Sequence, residues 1–198
     1  MANGSFRLGK QSGGTLGLVF PDGVDNTEVV LPESGELATK EYVDNNRSIL
    51  QVVYAENKVV GSGSLTIPSD GTIPQITEGN EILTCTITPK KANSRLLIEF
   101  TPSAEEISNT GNILTVACFR NGVSNALFQT ATALYGGEAL TENNICGRFI
   151  INTPTTSPIT FSLRAGLDYG SIRWNQIKHI SYFNNASTTM TITEIAQW

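Results

Sequence analysis

Regular alternation of apolar and polar residues over most of the chain constrains the fold more than any other feature of the sequence. Residues 83–87 place Leu, Cys and Ile between threonines, and residues 96–100 repeat the same two-residue period. This period puts successive side chains on opposite faces of a strand, so half-buried β-strands are predicted from residue 49 onward. The polar connection at residues 89–94 predicts that these two strands form an antiparallel pair.

Further strands follow from the same pattern. Residues 51–54 begin the series, and residues 113–120 form a longer apolar strand followed by Asn121-Gly122, a strong hairpin signal that predicts a partner strand at residues 124–130. The remaining predicted strands are residues 146–152, 159–165, 172–182 and 188–196. About eight or nine short strands in roughly 150 residues predict an all-β fold, an antiparallel β-sandwich or jelly roll.

Charge and hydropathy exclude several classes of protein. The net charge is −5 and the basic residues are scattered, whereas a nucleic-acid surface needs clustered Lys and Arg. No stretch approaches 18 consecutive apolar residues, and residues 1–10 lack the apolar core of a signal peptide. We therefore expect neither nucleic-acid binding nor membrane insertion, and synthesis in the cytoplasm without export.

The chain divides by composition into three parts: residues 1–31, 32–48 and 49–198. The first is Gly-rich and predicts an extended arm, in which residues 15–20 pair with residues 27–31 as a hairpin. A lone hairpin is marginal in water, so the arm should need another surface. Residues 37–45 predict a linker helix of about two turns, too short to persist alone.

Cofactor and metal motifs are weak. Gly4, Gly9 and Lys10 have phosphate-loop spacing, but Gln11 stands where Ser or Thr would hold magnesium and no strand precedes the loop. The three cysteines match no zinc or redox spacing, and each lies in an apolar run that predicts a buried thiol. We expect no cofactor; the sequence leaves metal binding open.

Two stretches resemble bacteriophage virion proteins. The run Leu-Pro-x-x-Gly-x-Leu-Ala-Thr-Lys-Glu-Tyr-Val-Asp, within residues 30–46, resembles the linker of tail fibres and tail-associated proteins. Short motifs at residues 88–98, 119–122, 161–166 and 189–195 resemble the C-terminal domains of phage tail proteins, which are similar to the trimeric jelly rolls of tumour necrosis factor and C1q. The resemblance implies a homotrimer with residues 49–198 as its head.

This organisation assigns three groups of candidate residues. The candidates for attachment of the arm to other phage tail or capsid proteins are Phe6, Leu16, Leu18 and Phe20. The candidates for trimer alignment are Leu37, Tyr42, Met190 and Ile192. The candidates for contact with a host cell-surface glycan or protein are Tyr135, Asp168, Tyr169 and Trp174. Aromatic side chains in loops make good binding anchors, although Trp174 fits a role in core or trimer packing equally well.

Catalysis has little support. His179 is the only histidine, and nothing near it in the sequence identifies a carboxylate that would orient it. Glu105-Glu106 would point to opposite faces of a strand, and the separation of two glycosidase carboxyls cannot be deduced from sequence. We expect a protein that is not an enzyme: a short trimeric tail fibre or tail-tip adhesin of a phage virion. The alternatives are a head fibre or capsid decoration protein and, more remotely, a glycan depolymerase or a non-viral C1q-like binding module.

Overall fold

The computed structural model describes residues 6–9, 15–18, 47–107, 111–133, 145–176 and 186–197. The chain divides into two units, Met1–Tyr42 and Val43–Trp198. In the first unit, strands β1 (Phe6–Gly9) and β2 (Thr15–Leu18) form an antiparallel hairpin. Within the described residues β2 pairs with residues 6–9, and the predicted pairing of β2 with residues 27–31 stays a prediction. Residues 27–31 and the predicted linker helix lie outside the described residues.

The second unit contains the following strands: β3 (Ile49–Asn57), β4 (Gly61–Gly63), β5 (Asn80–Ile87), β6 (Ser94–Thr101), β7 (Ala104–Glu106), β8 (Ile113–Arg120), β9 (Phe128–Ala133), β10 (Gly147–Thr153), β11 (Ile159–Leu167), β12 (Ile172–Trp174) and β13 (Thr188–Ile195). They form one four-stranded sheet in the order β10-β6-β13-β3, a second in the order β5-β11-β8-β9, and a small sheet β4-β12-β7. Each of these pairings is antiparallel. The predicted all-β, antiparallel jelly-roll sandwich is confirmed.

The core lies between the two four-stranded sheets. Every second residue of β6 and β13 faces inward, where Leu96, Ile98 and Ile192 meet Phe161 and Leu163 of the opposite sheet. Each of these five side chains is fully buried. Burying a side chain of this size contributes about 1.5–3 kcal/mol, so the alternating pattern is the main source of the sandwich's stability.

The prediction that β5 and β6 pair with each other is wrong. Strand β5 pairs with β11, whereas β6 pairs with β10 and β13 in the other sheet. The connection at residues 88–93 therefore crosses from one sheet to the other. Alternation determines which side chains share a face, but it does not determine the neighbouring strand.

The loop after β8 also differs from the predicted tight hairpin. Asn121-Gly122 does form a turn, with Gly122 at φ +77° and a 3.1 Å hydrogen bond from Val123 N to Arg120 O. The partner strand β9, however, starts only at Phe128, opposite Cys118. Residues 123–127 do not continue the strand pairing, because residues 124–126 pack over the outer face of their own sheet.

We call the sheet β5-β11-β8-β9 the covered sheet, because residues 66–79 and 124–126 lie over its outer face. Ala117 and Phe119 point to this face and form a second, smaller core with Ile67, which Ile76 and Ala126 flank. Backbone hydrogen bonds hold the cover in place, from Ile76 N to the carbonyl oxygen of residue 124 at 2.7 Å and from Ala126 N to that of residue 74 at 2.9 Å. Both faces of β8 are thereby buried.

Two further predictions need correction. The strand predicted at residues 172–182 is interrupted after Trp174, because Asn175 takes a left-handed backbone conformation with φ 59°, and residues 177–182 lie outside the described residues. Cys85 and Cys118 are buried as predicted, but Cys146 is exposed. It lies between the buried residues Ile145 and Gly147, so the two-residue period turns its thiol outward.

Candidate functional site

Asp168, a candidate receptor contact, has a structural role at the end of β11. Its Oδ1 accepts hydrogen bonds from Ile113 N at 3.0 Å and from Tyr169 N at 3.2 Å. Its own backbone N–H donates to Ile113 O at 3.1 Å. The carboxylate therefore ties the start of β8 to the end of β11. The neighbouring Tyr169 ring is 55% exposed, so of these two side chains Tyr169 is the one available to a partner.

Trp174 is half-buried and packs within its own chain. Its indole ring lies directly over Gly61 of the neighbouring strand β4, where an added Cβ would collide with the ring. The ring also packs against the main core. The structure thus favours the packing role over the receptor role for Trp174, and it does not join Trp174 and Tyr169 in one pocket. Tyr135 and His179 lie outside the described residues.

Met190 and Ile192, candidates for trimer alignment, are fully buried between the two sheets. Their side chains contribute to the core of one chain and are not available to a sister chain, which corrects that assignment. Met190 and Ile192 share one face of β13 with Glu194, and this face lies inward. Leu37, Tyr42 and Phe20 lie outside the described residues. Phe6, Leu16 and Leu18 belong to the β1–β2 hairpin, where Phe6 is opposite Leu18.

The outer face of the sheet β10-β6-β13-β3 is apolar and exposed; we call it the open face. One row across the four strands runs Ile150, Leu97, Thr193, Val52 in register. The flanking rows add Tyr54 on one side and Ile195 with Ile49 on the other. Val52, Tyr54 and Ile49 are between 56% and 59% exposed, and Ile150 is 45% exposed. None of the described residues covers this face as residues 66–79 cover the other sheet.

The sequence does contain a signal for the open face that the strand predictions did not use. Three strands carry adjacent apolar residues, at positions 52–53, 96–98 and 149–151. Because neighbouring residues of a strand point to opposite faces, such a pair makes both faces apolar. A sheet with one solvated face has no need of this pattern, which is typical of sheets covered on both sides.

Glu194 is a buried carboxylate near the C-terminal end of β13. Its Oε1 accepts hydrogen bonds from Ser94 Oγ at 2.7 Å, Lys90 N at 3.0 Å and Lys91 N at 3.1 Å. Its Oε2 accepts from Gln51 Nε2 at 2.7 Å and from Lys90 N at 2.9 Å. Burial raises the pKa of this carboxyl, but the hydrogen bonds from Lys90, Ser94, Gln51 and Lys91 outweigh it, so the pKa lies below 4.5.

The described acidic residues at positions 105 and 106 have partners within the fold. Glu105 and Arg173, opposite each other on β7 and β12, form an ion pair at 3.2 Å. Glu106 Oε1 accepts a hydrogen bond from Asn112 Nδ2 at 2.7 Å. Within the described ranges, no group of three or more His, Cys, Asp or Glu side chains is placed to hold a metal ion. Those ranges also contain no helix long and apolar enough to cross a membrane.

The part of the chain that matches a known protein family is the sandwich. A family model described as the Pgp3 C-terminal domain matches residues 50–197. The chain belongs to this family. The matched region starts in β3 and continues past the end of β13, so it includes both four-stranded sheets, the open face and Glu194. Membership of the Pgp3 C-terminal domain family therefore concerns the head, and it leaves residues 1–49 unassigned.

Solved structures share the fold at low identity. The Eiger TNF of S. frugiperda is 12% identical, with a TM-score of 0.45, and the match covers 77% of this chain and 96% of that one. The EclA C-terminal domain, described as a sugar-binding protein, is 13% identical with a TM-score of 0.33 and coverages of 77% and 99%. The VP2 subviral particle of infectious bursal disease virus is 15% identical, with a TM-score of 0.35 and coverages of 73% and 32%. No curated protein matches the chain.

Proposed function

We propose that this protein is a non-enzymatic component of a bacteriophage virion, a short homotrimeric tail fibre or tail-tip adhesin. Residues 1–31 attach it to other tail proteins, residues 32–48 align three chains, and the head of residues 49–198 contacts the host surface. Adhesion of this kind relies on several weak sites carried by one particle, which together give avidity without strong individual contacts.

The open face is the observation that carries the trimeric part of the proposal. Its central row places Ile150 beside Leu97 and, across Thr193, Val52, and Tyr54, Ile195 and Ile49 extend it. Contiguous apolar surface rimmed by polar residues marks an interaction site. A second copy of the chain is the partner we assign to it, because the same chain covers the outer face of its other sheet by itself.

Two further observations support a particle-bound role. The linker resemblance within residues 30–46 is to tail fibres and tail-associated proteins, and it lies between the hairpin unit and the head. The candidate attachment residues Phe6, Leu16 and Leu18 belong to a two-stranded hairpin, and an isolated hairpin is marginal in water. Attachment to a tail protein supplies the surface that such a hairpin needs.

The oligomeric state is tested by mutation of the open face. Sedimentation equilibrium of the full chain should give about 64 kDa for three chains of 21.3 kDa. The double variant Val52→Lys/Ile150→Lys should sediment as a monomer, because an unpaired ammonium buried in an apolar contact is costly. Thr84→Lys, which changes an exposed residue on the covered sheet, is the matched control and should remain a trimer. A wild-type monomer would refute the proposed assembly.

The location is tested on intact particles. Antibodies against the head, visualised by electron microscopy, should label the tail, and the purified protein should reduce adsorption of particles to their host. Label on the shell with no effect on adsorption would instead identify a head fibre or capsid decoration protein. Release of oligosaccharide fragments from host polysaccharide would contradict the non-enzymatic assignment.

A further inference from the structure

An open groove of about 600 Å³ lies at the end of the sheet β10-β6-β13-β3 where β6 begins and β10 and β13 end. Its lining residues are Asn93, Asn152, Thr153, Pro154 and Gln197. This volume falls in the range of sites for small ligands, roughly 300–1,000 Å³. Asp168, Tyr169 and Trp174 do not line it, and Tyr135 lies outside the described residues.

The groove is held in shape by contacts beneath it. Asn93 N donates a 2.8 Å hydrogen bond to Thr153 O, which joins the two walls. Asn93 itself takes a left-handed backbone conformation at φ 61°, which an Asn tolerates. Thr153 Oγ1 donates to Thr155 O at 2.9 Å, and Ser94 Oγ donates to the buried Glu194 at 2.7 Å. The walls are therefore fixed before any ligand arrives, which lowers the entropic cost of binding.

Three of the five residues that line the groove carry a side-chain amide. The side chains of Asn93, Asn152 and Gln197 are exposed, and the structure gives them no hydrogen bond with any of the described residues. Each amide offers two donors and an acceptor, the combination that adjacent hydroxyls of a sugar need. No lining residue is ionisable, and Pro154 provides a small apolar surface.

From this chemistry we propose that the groove binds a neutral oligosaccharide. An extended peptide fits less well, since peptide recognition relies on apolar pockets or on charged anchors, and this lining offers one proline and no charge. The proposal rests on the proposed function in one respect: it names the class of host receptor that the head contacts. The five lining residues belong to one chain, but Asn152 shares the outer face of β10 with Ile150, so the proposal requires that the contact between chains leaves Asn152 accessible.

The test uses the full-length protein and a printed panel of neutral and acidic oligosaccharides, together with a library of immobilised peptides. The double variant Asn152→Ala/Gln197→Ala removes two amides while leaving the left-handed Asn93 in place. Gln129→Ala is the matched control, because Gln129 is an exposed amide in a strand of the covered sheet. Unchanged thermal unfolding of both variants verifies that the fold is retained.

We expect the wild type to bind at least one neutral oligosaccharide. The double variant should bind this oligosaccharide at least about tenfold more weakly, and the control should bind it as well as the wild type does. Absence of binding to every neutral oligosaccharide would overturn the proposal, as would binding that the double variant retains. Capture of peptides or acidic glycans alone would do the same. Sedimentation of the same samples separates this result from the proposed assembly: a monomer that binds sugar refutes the trimer only, and a trimer that binds none refutes the groove only.

Discussion

Replacement of Glu194 should cost more stability than replacement of any exposed carboxylate of the head. This side chain is fully buried and accepts hydrogen bonds from four donors, which belong to Gln51, Lys90, Lys91 and Ser94. Hydrogen bonds to a charged acceptor contribute about 1.5–3 kcal/mol, against about 0.5–1.5 kcal/mol for neutral pairs. The carboxylate thus fastens the crossing connection at residues 88–93 to the last strand.

The size of the effect follows from these contacts. In Glu194→Gln, the retained oxygen can still face Ser94 and the two lysine amides, but the new NH₂ group faces the Gln51 amide, which already donates to Thr88 O at 2.7 Å. We expect the free energy of unfolding to fall by about 2–3 kcal/mol. This is less than the sum of the weakened hydrogen bonds, because an amide is less costly to bury than a carboxylate. Glu194→Ala leaves buried donors without an acceptor and should cost about 3–5 kcal/mol.

Urea unfolding at several pH values measures this effect. The folded-state pKa of Glu194 is lowered, so its contribution is fully present above the ordinary value of 4.5 and is lost as the pH falls through the lower folded-state pKa. The difference in the free energy of unfolding between wild type and Glu194→Gln should therefore be largest near pH 7 and should become smaller in acid. Glu81→Gln, which removes a half-exposed carboxylate of the covered sheet paired with Arg164 at 3.7 Å, is the control and should cost under about 1 kcal/mol. A Glu194→Gln variant as stable as this control at pH 7, or a difference that does not become smaller below pH 4.5, would refute the reasoning.

Two other predictions concern packing and thiol reactivity. Gly61→Ala should destabilise the head by about 1–3 kcal/mol in urea unfolding, because the new methyl group must displace the Trp174 ring; unchanged stability would show that the ring moves freely. A thiol reagent at pH 8 should label Cys146 in the native protein and all three cysteines after denaturation, because Cys85 and Cys118 are buried and burial raises the pKa of Cys118 to about 12. Rapid native labelling of more than one thiol would contradict the described core.

The strands of the head were largely predictable because two-residue alternation is a local property. Strand β8 has the predicted bounds of Ile113–Arg120, and β11 and β13 begin at the predicted residues. Pairing was less predictable, since β5 and β6 are consecutive in sequence but belong to different sheets. Nothing in either strand's pattern encodes its neighbour, which depends on where the long connections place the remaining strands.

The candidate site residues were less predictable, for a related reason. Alternation groups Met190, Ile192 and Glu194 on one face of β13, but it does not state which face lies inward. A charged residue in such a set suggests solvent, whereas here Gln51, Ser94 and two backbone amides satisfy it inside the fold. The role of Asp168 was hidden in the same way, because its partner Ile113 is distant in sequence.

The outer face of one sheet is covered by other residues of the chain, whereas no described residue covers the outer face of the other sheet. This difference explains how one chain combines a stable fold with an exposed apolar face. Covering the outer face of β8 takes residues 66–79 and 124–126, and it buries Phe119 and Ile67 completely. On the open face, the central strand β13 presents threonines at positions 189, 191 and 193, which both water and a protein partner accept. Apart from Ile195 at the end of β13, the apolar residues lie on the strands to either side. The described sandwich core is built within a single chain, and under the proposed assembly the contact between chains would depend on Val52, Leu97 and Ile150 rather than on that core.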